Sequence, residues 1–206
     1  MAEIRESNYT PVVFFVIMAL VVLWALLPHE WSRTLVFWYC NNISLFFAIA
    51  FYEDNMQLVK GLSYVGILPQ LLWISDFISH LVGFDLANTA NYIFVEGFTF
   101  SNNVSVILHM TVPIIAILYT FRIRPRPQSL FYSIVFIIGL YVMTLAGTAP
   151  ADDVNCVFNA CLQFSFHYNA IIWPLEMIIL ALGGYALHEG LYLLFQKYVE
   201  WKRGRS

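Results

Sequence analysis

The 206-residue sequence is 60% hydrophobic and 17% aromatic, and only 11% of its residues are charged. Water-soluble domains carry about 25% charged residues, so this composition excludes an ordinary soluble domain and predicts an integral membrane protein. The 10 basic and 13 acidic residues give a net charge of −3 without a long basic run, which excludes nucleic acid as a partner. The three cysteines lack the spacing of a zinc site, so we predict neither a metal ion nor a cofactor.

Six apolar stretches approach the roughly 20 residues that a helix needs to cross a membrane. We number them segments 1 to 6, and they cover residues 12–27, 35–52, 61–83, 103–121, 129–149 and 170–195. The polar breaks between them are short, and no internal repeat is visible in the sequence. The sequence therefore predicts an all-α fold, in which residues 1–206 form a single domain built as one bundle of six transmembrane helices.

The basic residues predict how this bundle is oriented. Nine of the 10 lysines and arginines lie before segment 1, between segments 2 and 3, between segments 4 and 5, or after segment 6, and only Arg33 lies on the opposite side. Because positively charged loops stay in the cytoplasm, both termini are predicted to be cytoplasmic. The longer connections, residues 84–102 and 150–169, then lie outside, and their many aromatic residues are typical of segments at the membrane surface. We expect them to cover an opening on that side.

Two of the three cysteines, Cys156 and Cys161, lie in the second outer connection. Under the predicted orientation they face an oxidising compartment, which favours a disulfide. Four residues separate them, and a bond across that interval requires a particular turn. The sequence leaves both the disulfide and the free thiols open.

Polar and ionisable side chains inside a membrane are costly, so they mark candidate functional sites. Cys40, Asp76, His109, Thr144 and Glu176 lie in five different segments, each five to seven residues from the predicted outer end. At the rise of an α-helix, this spacing puts all of them about 8 to 10 Å below the boundary. The sequence therefore predicts a shared polar cavity in the outer third of the membrane.

Helical spacing adds further polar residues to this layer. Residues four positions apart share a helix face, and three polar pairs have this spacing: Asp76 with His80, Ser105 with His109, and Cys40 with Ser44. Thr111, two residues beyond His109, points away from that face, and we expect its hydroxyl to bond to its own helix backbone.

A cysteine, a histidine and a carboxylate at one depth are the groups that acyl transfer requires. We interpret Cys40 as the nucleophile and His109 as the general base, with Asp76 or Glu176 orienting the imidazole. Further polar residues are expected to contact the substrate or its oxyanion, namely Asn41, Asn42, Ser44, His80, Ser105 and Thr144.

Three stretches resemble a known membrane family. They are Trp38-Tyr39-Cys40-Asn41 in segment 2, residues 64–70 in segment 3, and residues 100–119 with His109 in segment 4. The chain resembles the six-helix family that includes an ether-phospholipid acyltransferase of animals and many bacterial integral membrane proteins. It is similar, more loosely, to six-helix hydrolases of fatty acid esters of hydroxy fatty acids. The resemblance implies that Cys40 and His109 carry out acyl transfer through a thioester, although Asn41 stands where the family has an aspartate.

The alternative is a non-enzymatic membrane protein, either a scaffold or a small carrier that uses the acidic and histidine side chains as a proton relay. A carrier requires polar residues that continue through the cytoplasmic half of the bundle. There the segments are mainly apolar, with a few interruptions at Ser63, Gln70, Ser133, His188 and Glu189. We expect His188 and Glu189 to reach the surface or to pack against Lys60. The sequence thus favours a lipid acyltransferase or lipid-ester hydrolase with membrane lipid as its partner, and it leaves the oligomeric state open.

Overall fold

A computed structural model of the chain describes residues 2–26, 38–84, 86–87, 89–97, 99–152, 154–158 and 170–204. Within these residues the chain is helical and contains no β-strand, which confirms the predicted all-α class. The seven α-helices of this part of the chain are α1 Ala2–Leu26, α2 Tyr39–Tyr52, α3 Met56–Leu81, α4 Asn91–Glu96, α5 Phe100–Thr120, α6 Pro127–Gly147 and α7 Ile172–Arg203. Two 3-10 turns, Pro150–Asp152 and Val154–Cys156, lie between α6 and α7.

Four of these helices are long and apolar enough to cross a membrane, namely α3, α5 from Asn102 onward, α6 and α7. In α1 and α2 the apolar helical parts are shorter and cover Tyr9–Trp24 and Tyr39–Tyr52. Large apolar side chains are exposed along the outside of the bundle, including Leu20 on α1, Ile138 on α6 and Ile179 on α7, where lipid would cover them. The chain is therefore an integral membrane protein, with four of the six predicted spans supported by length and composition.

The apolar stretches predict the middle of each long helix better than its ends. α3 begins at Met56 because the side chain of Asn55 accepts a hydrogen bond of 3.0 Å from the N–H of Leu58. The hydroxyl of Thr99 caps α5 in the same way, through the N–H of Asn102. α7 continues to Arg203, well beyond the end of its apolar stretch. Hydropathy shows where a helix can meet lipid, whereas capping side chains decide where it starts.

The central helix of the bundle is α3, which packs against α2, α5, α6 and α7, while α1 covers α2 and α5. Glycines allow two of these contacts to be close. A Cβ atom on Gly61 would lie 2.5 Å from the carbonyl oxygen of Ser129 on α6, and one on Gly184 would lie 2.7 Å from the carbonyl oxygen of Tyr64. Across the contact between α3 and α6, the hydroxyl of Ser133 donates a hydrogen bond of 2.8 Å to the carbonyl of Gly61.

The connections between helices define two ends of the bundle. At one end the side chain of Gln57 donates to the carbonyl of Arg124 at 3.3 Å, which joins the start of α3 to the turn before α6. We call this the basic end, because residues 122–126 contain three arginines. At the opposite end the N–H of Tyr39 donates to Oδ1 of Asn155 at 2.7 Å. We call that the loop end, since it also holds α4 and the 3-10 turns.

Candidate functional site

The imidazole of His109 is buried between α5 and α3 in a fixed orientation. Its Nδ1 lies 2.8 Å from the carbonyl oxygen of Ser105, one turn earlier on the same helix. Because a carbonyl can only accept, Nδ1 carries the proton and Nε2 carries the lone pair. The ring also stacks on Trp73, with centroids 4.2 Å apart. His109 therefore presents one basic nitrogen, whose direction is set by its own helix and by Trp73.

The spacing of polar residues along α5 produces the local contacts that the sequence predicts. The hydroxyl of Ser105 lies 3.4 Å from Nδ1 of His109 and 2.7 Å from the hydroxyl of Tyr92 on α4. Ser105 thus links the histidine to the loop end. Thr111 donates its hydroxyl proton to the carbonyl of Ile107 at 2.7 Å, which confirms that it bonds to its own helix.

Cys40 lies in the first turn of α2 as a half-buried free thiol, and its sulfur is 3.8 Å from Oδ1 of Asn41. Among the described residues, no hydrogen bond joins Cys40 to His109. A cavity of about 10 Å³ lies between α2, α3 and α5, and it is lined by Tyr39, Phe47, Ser63, Ile67, Gln70, Val112, Pro113 and Ala116. Phe47 is two turns from Cys40, and Val112 is one turn from His109, so the faces that carry both residues border this cavity.

The carboxylate of Asp76 is fully buried and holds the connection after α3 in place. It accepts hydrogen bonds from the backbone N–H groups of Ala87, Thr89 and Ala90 at 2.7, 2.6 and 2.8 Å, and from the Thr89 hydroxyl at 3.0 Å. The group that contacts Nδ1 of His109 is the carbonyl of Ser105, whereas the sequence predicts Asp76 or Glu176 in this position. Asp76 acts as an anchor for Ala87, Thr89 and Ala90.

The hydroxyl of Thr144 is also engaged in holding elements together. It accepts from Nδ2 of Asn155 at 3.3 Å, and the indole N–H of Trp173 on α7 donates to the carbonyl of Asn155 at 2.6 Å. Together with the bond from Tyr39, these contacts make Asn155 a junction between α2, α6 and α7. Glu176 is half-buried one turn into α7, and no ion pair joins it to His109 in the described part of the chain.

The other predicted site residues lie apart from His109. Nδ1 of His80 is 3.0 Å from the carbonyl of Asp76, and its ring stacks on Phe94. Asn42 is half-buried on α2, beside the Asn41 amide that contacts Cys40. Ser44 is fully buried, and its hydroxyl has no hydrogen-bond partner among the residues that the structure describes. Cys156 is disulfide-bonded, while Cys161 lies outside the described residues.

The structure adds two features that the sequence analysis did not assign to a site. Gln70 is buried on α3 and lines the cavity, where its amide can donate a hydrogen bond. At the basic end, Lys60 and His188 are both fully buried and close enough to interact electrostatically. Lys60 is visible in the sequence as a charged residue, but the apolar stretch begins at Gly61, so hydropathy places the lysine in a connection.

No protein-family model matches the sequence, and comparisons with curated proteins and with solved structures give no match. Among the described residues, no group of three or more histidine, cysteine, aspartate or glutamate side chains is arranged to hold a metal ion.

Proposed function

We propose that this integral membrane protein transfers or hydrolyses the acyl group of a membrane lipid, with Cys40 as the nucleophile and His109 as the base. The observation that carries the proposal is the fixed imidazole of His109, whose Nδ1–H donates a hydrogen bond to the carbonyl of Ser105 and whose Nε2 is left to accept a proton. A positioned neutral imidazole is the usual general base in acyl transfer. The resemblance to six-helix acyltransferases points to the same two residues.

The chemistry follows the thioester route. Nε2 of His109 takes the thiol proton of Cys40 while the sulfur attacks the ester carbonyl carbon of a lipid. The tetrahedral intermediate then collapses, the ester C–O bond breaks, and His109 returns the proton to the leaving alcohol. A second alcohol, or water, attacks the thioester and releases the thiol, which gives transfer or hydrolysis. The proposed oxyanion donors are the side-chain amide of Gln70, which lines the cavity, and the amides of Asn41 and Asn42, which follow Cys40 on α2.

The small size of the cavity has a consequence for this proposal. A volume of about 10 Å³ holds at most one water molecule, so a lipid ester reaches the site only if α2 and α5 move apart. Hydrogen bonds between a nucleophile and its base often tighten only in the substrate complex. We therefore expect the contact between Cys40 and His109 to form when substrate is bound.

The test is covalent labelling of Cys40 by a thiol-reactive lipid probe that mimics an acyl chain, in the membrane-embedded protein. Wild-type protein is expected to be labelled at Cys40, and His109→Ala is expected to slow labelling by about a hundredfold, because the thiol loses its base. Peptide mass spectrometry identifies the labelled residue, and Cys40→Ala gives the background.

Thr111→Ala is the matched control on the same helix, because its hydroxyl bonds only to the carbonyl of Ile107 among the described residues. This variant is expected to be labelled at the wild-type rate. Absent labelling, or labelling that does not depend on His109, would make Cys40 a packing residue. It would shift the assignment to a carrier or scaffold, for which the buried Lys60 and His188 are the strongest support.

We further propose that the basic end lies in the cytoplasm, so that the loop end faces the outer leaflet. The support is the distribution of basic residues, since Arg122, Arg124 and Arg126 lie together at the basic end. A fluorescent protein fused after Ser206 is expected to fluoresce, and alkaline phosphatase fused there is expected to be inactive. The reverse pattern would place the loop end, and lipid access, on the cytoplasmic side.

A further inference from the structure

Two basic side chains at the basic end are buried in the bundle. Lys60 on α3 and His188 on α7 both have an exposed fraction of 0%. Neither Nζ of Lys60 nor either ring nitrogen of His188 has a hydrogen-bond partner among the residues that the structure describes. Buried polar groups without partners are rare in native proteins, because each costs free energy that only a hydrogen bond offsets. Two adjacent groups of this kind point to a partner from outside these residues.

The surrounding helices hold both side chains in position. Gly61 brings α6 close against α3 next to Lys60, and Gly184 brings α7 close against α3 at Tyr64, one turn further along. The ring of Tyr64 meets the imidazole of His188 edge to face, with centroids 5.0 Å apart. The hydroxyl of Tyr64 lies 3.1 Å from that of Ser129 on α6, so its own hydrogen bond is satisfied. These contacts fix the positions of the helices around the cluster, and the Lys60 side chain stays inside the bundle instead of extending to the surface.

The charges around the cluster favour a negatively charged partner. Glu189 is half-buried and interacts electrostatically with Lys60, but no ion pair within 4.0 Å joins them among the described residues. On the other side, the guanidinium of Arg122 lies over the ring of Phe195, two turns beyond His188 on α7. Next to the cluster itself, the basic groups Lys60, Arg122 and His188 face Glu189, which is not ion-paired with Lys60, while Glu53 and Asp54 lie further out, in the connection before α3.

We propose that Lys60 and His188 bind an anionic phosphate group that reaches between α3 and α7 from the basic end. The ammonium of Lys60 and one ring N–H of His188 donate to its oxygens, which satisfies both side chains at once. Such a group comes either from the headgroup of a membrane lipid or from a free anion. The site is separate from the acyl chemistry proposed for Cys40 and His109, since His109 stacks on Trp73, more than three helical turns beyond Lys60 on α3.

Binding of defined probes to the purified full chain in neutral detergent tests this site. The probes are dioleoyl phosphatidic acid, dioleoyl phosphatidylcholine as the lipid without net charge, and inorganic phosphate, and native mass spectrometry gives the bound fraction. Retention of phosphatidic acid alone identifies a lipid headgroup, whereas retention of inorganic phosphate identifies a free anion. Lys60→Met and His188→Gln are each expected to lower affinity by about ten- to a hundredfold, the loss of a charge-assisted hydrogen bond. Lys197→Met, an exposed lysine on the same end of α7, is the control with the same change in charge.

The unfolding temperatures of wild type and Lys60→Met, measured with and without probe, show whether a loss of binding comes from poor folding. Without a bound anion, Lys60→Met is expected to unfold at a higher temperature than wild type, because an apolar side chain of similar length replaces a buried unpaired amine. With the bound probe at saturating concentration, wild type is expected to unfold at the higher temperature. If wild type and Lys60→Met retain phosphatidic acid and phosphate equally, or if neither probe stabilises wild type more than Lys60→Met, the proposed site does not exist.

Discussion

Replacing Asp76 with alanine is expected to lower the free energy of unfolding by roughly 3 kcal/mol or more, since buried donors without an acceptor cost about 1 to 3 kcal/mol each. The substitution removes the acceptor for the backbone N–H groups of Ala87, Thr89 and Ala90 and for the hydroxyl of Thr89. The connection after α3 would then lose these hydrogen bonds to α3, and α4 would be held there mainly by packing such as that of Phe94 on His80. Thermal unfolding of the purified protein in detergent measures the loss.

Two variants separate this anchoring role from a catalytic one. Ser75→Ala, at the neighbouring exposed position whose hydroxyl bonds only to the carbonyl of Leu71 among the described residues, is expected to unfold like wild type. Asp76→Asn keeps one acceptor oxygen, so its stability is expected to lie between those of Asp76→Ala and wild type. An Asp76→Ala protein with wild-type stability and no labelling of Cys40 would instead show that the carboxylate takes part in the chemistry.

Gly61→Ala and Gly184→Ala are expected to destabilise the bundle by about 1 to 3 kcal/mol each, the usual cost of overpacking. The new methyl group would lie 2.5 Å from the carbonyl oxygen of Ser129 in the first variant and 2.7 Å from that of Tyr64 in the second. These are backbone atoms of neighbouring helices, so whole helices must shift to make room. The yield of folded protein and its unfolding temperature in detergent are the measurements.

Two other glycines, on the helices α6 and α7 that pack against α3, serve as matched controls. A methyl group on Gly139 of α6 or on Gly190 of α7 would have no atom of the described residues within 4 Å. Alanine at either position is expected to be neutral or to stabilise the protein by up to about 1 kcal/mol, because alanine favours a helix more than glycine does. If all four variants behaved alike, the helices would not be in the close contact described for α3, α6 and α7.

The sequence predicts the long helices because a helix that lies in lipid needs a long, continuous apolar stretch, which is easy to recognise. Local contacts within one helix are also predictable, as the bond from Thr111 to Ile107 shows, because a fixed spacing determines them. Contacts between residues on different helices or connections cannot be predicted in this way. Counting from the ends of segments puts Asp76 at the depth of His109, but depth does not fix the rotation of a helix. The backbone N–H groups of Ala87, Thr89 and Ala90 need an acceptor, and no pattern of side chains in the sequence reveals this need.

Lys60 shows a second reason why part of the molecule escapes prediction. A lysine next to an apolar stretch is usually placed at the membrane surface, where its ammonium stays hydrated. Here α3 begins four residues earlier, at Met56, and α7 continues past His188, so the lysine lies within the bundle. The polar cluster at the basic end follows from where helices begin and end, which capping residues such as Asn55 decide and hydropathy does not.

The length of α2 has a consequence for the lipid around the protein. Its 14 residues measure about 21 Å along the helix axis, compared with about 30 Å for the hydrocarbon layer. Leu45 and Ile49 are exposed on its outer surface, so this short helix meets the bilayer directly. Local thinning of the bilayer is one way in which such hydrophobic mismatch is relieved. Under the function proposed above, thinning would bring the ester groups of the adjacent lipids closer to the first turn of α2, and bilayer thickness would then affect how readily a lipid reaches Cys40.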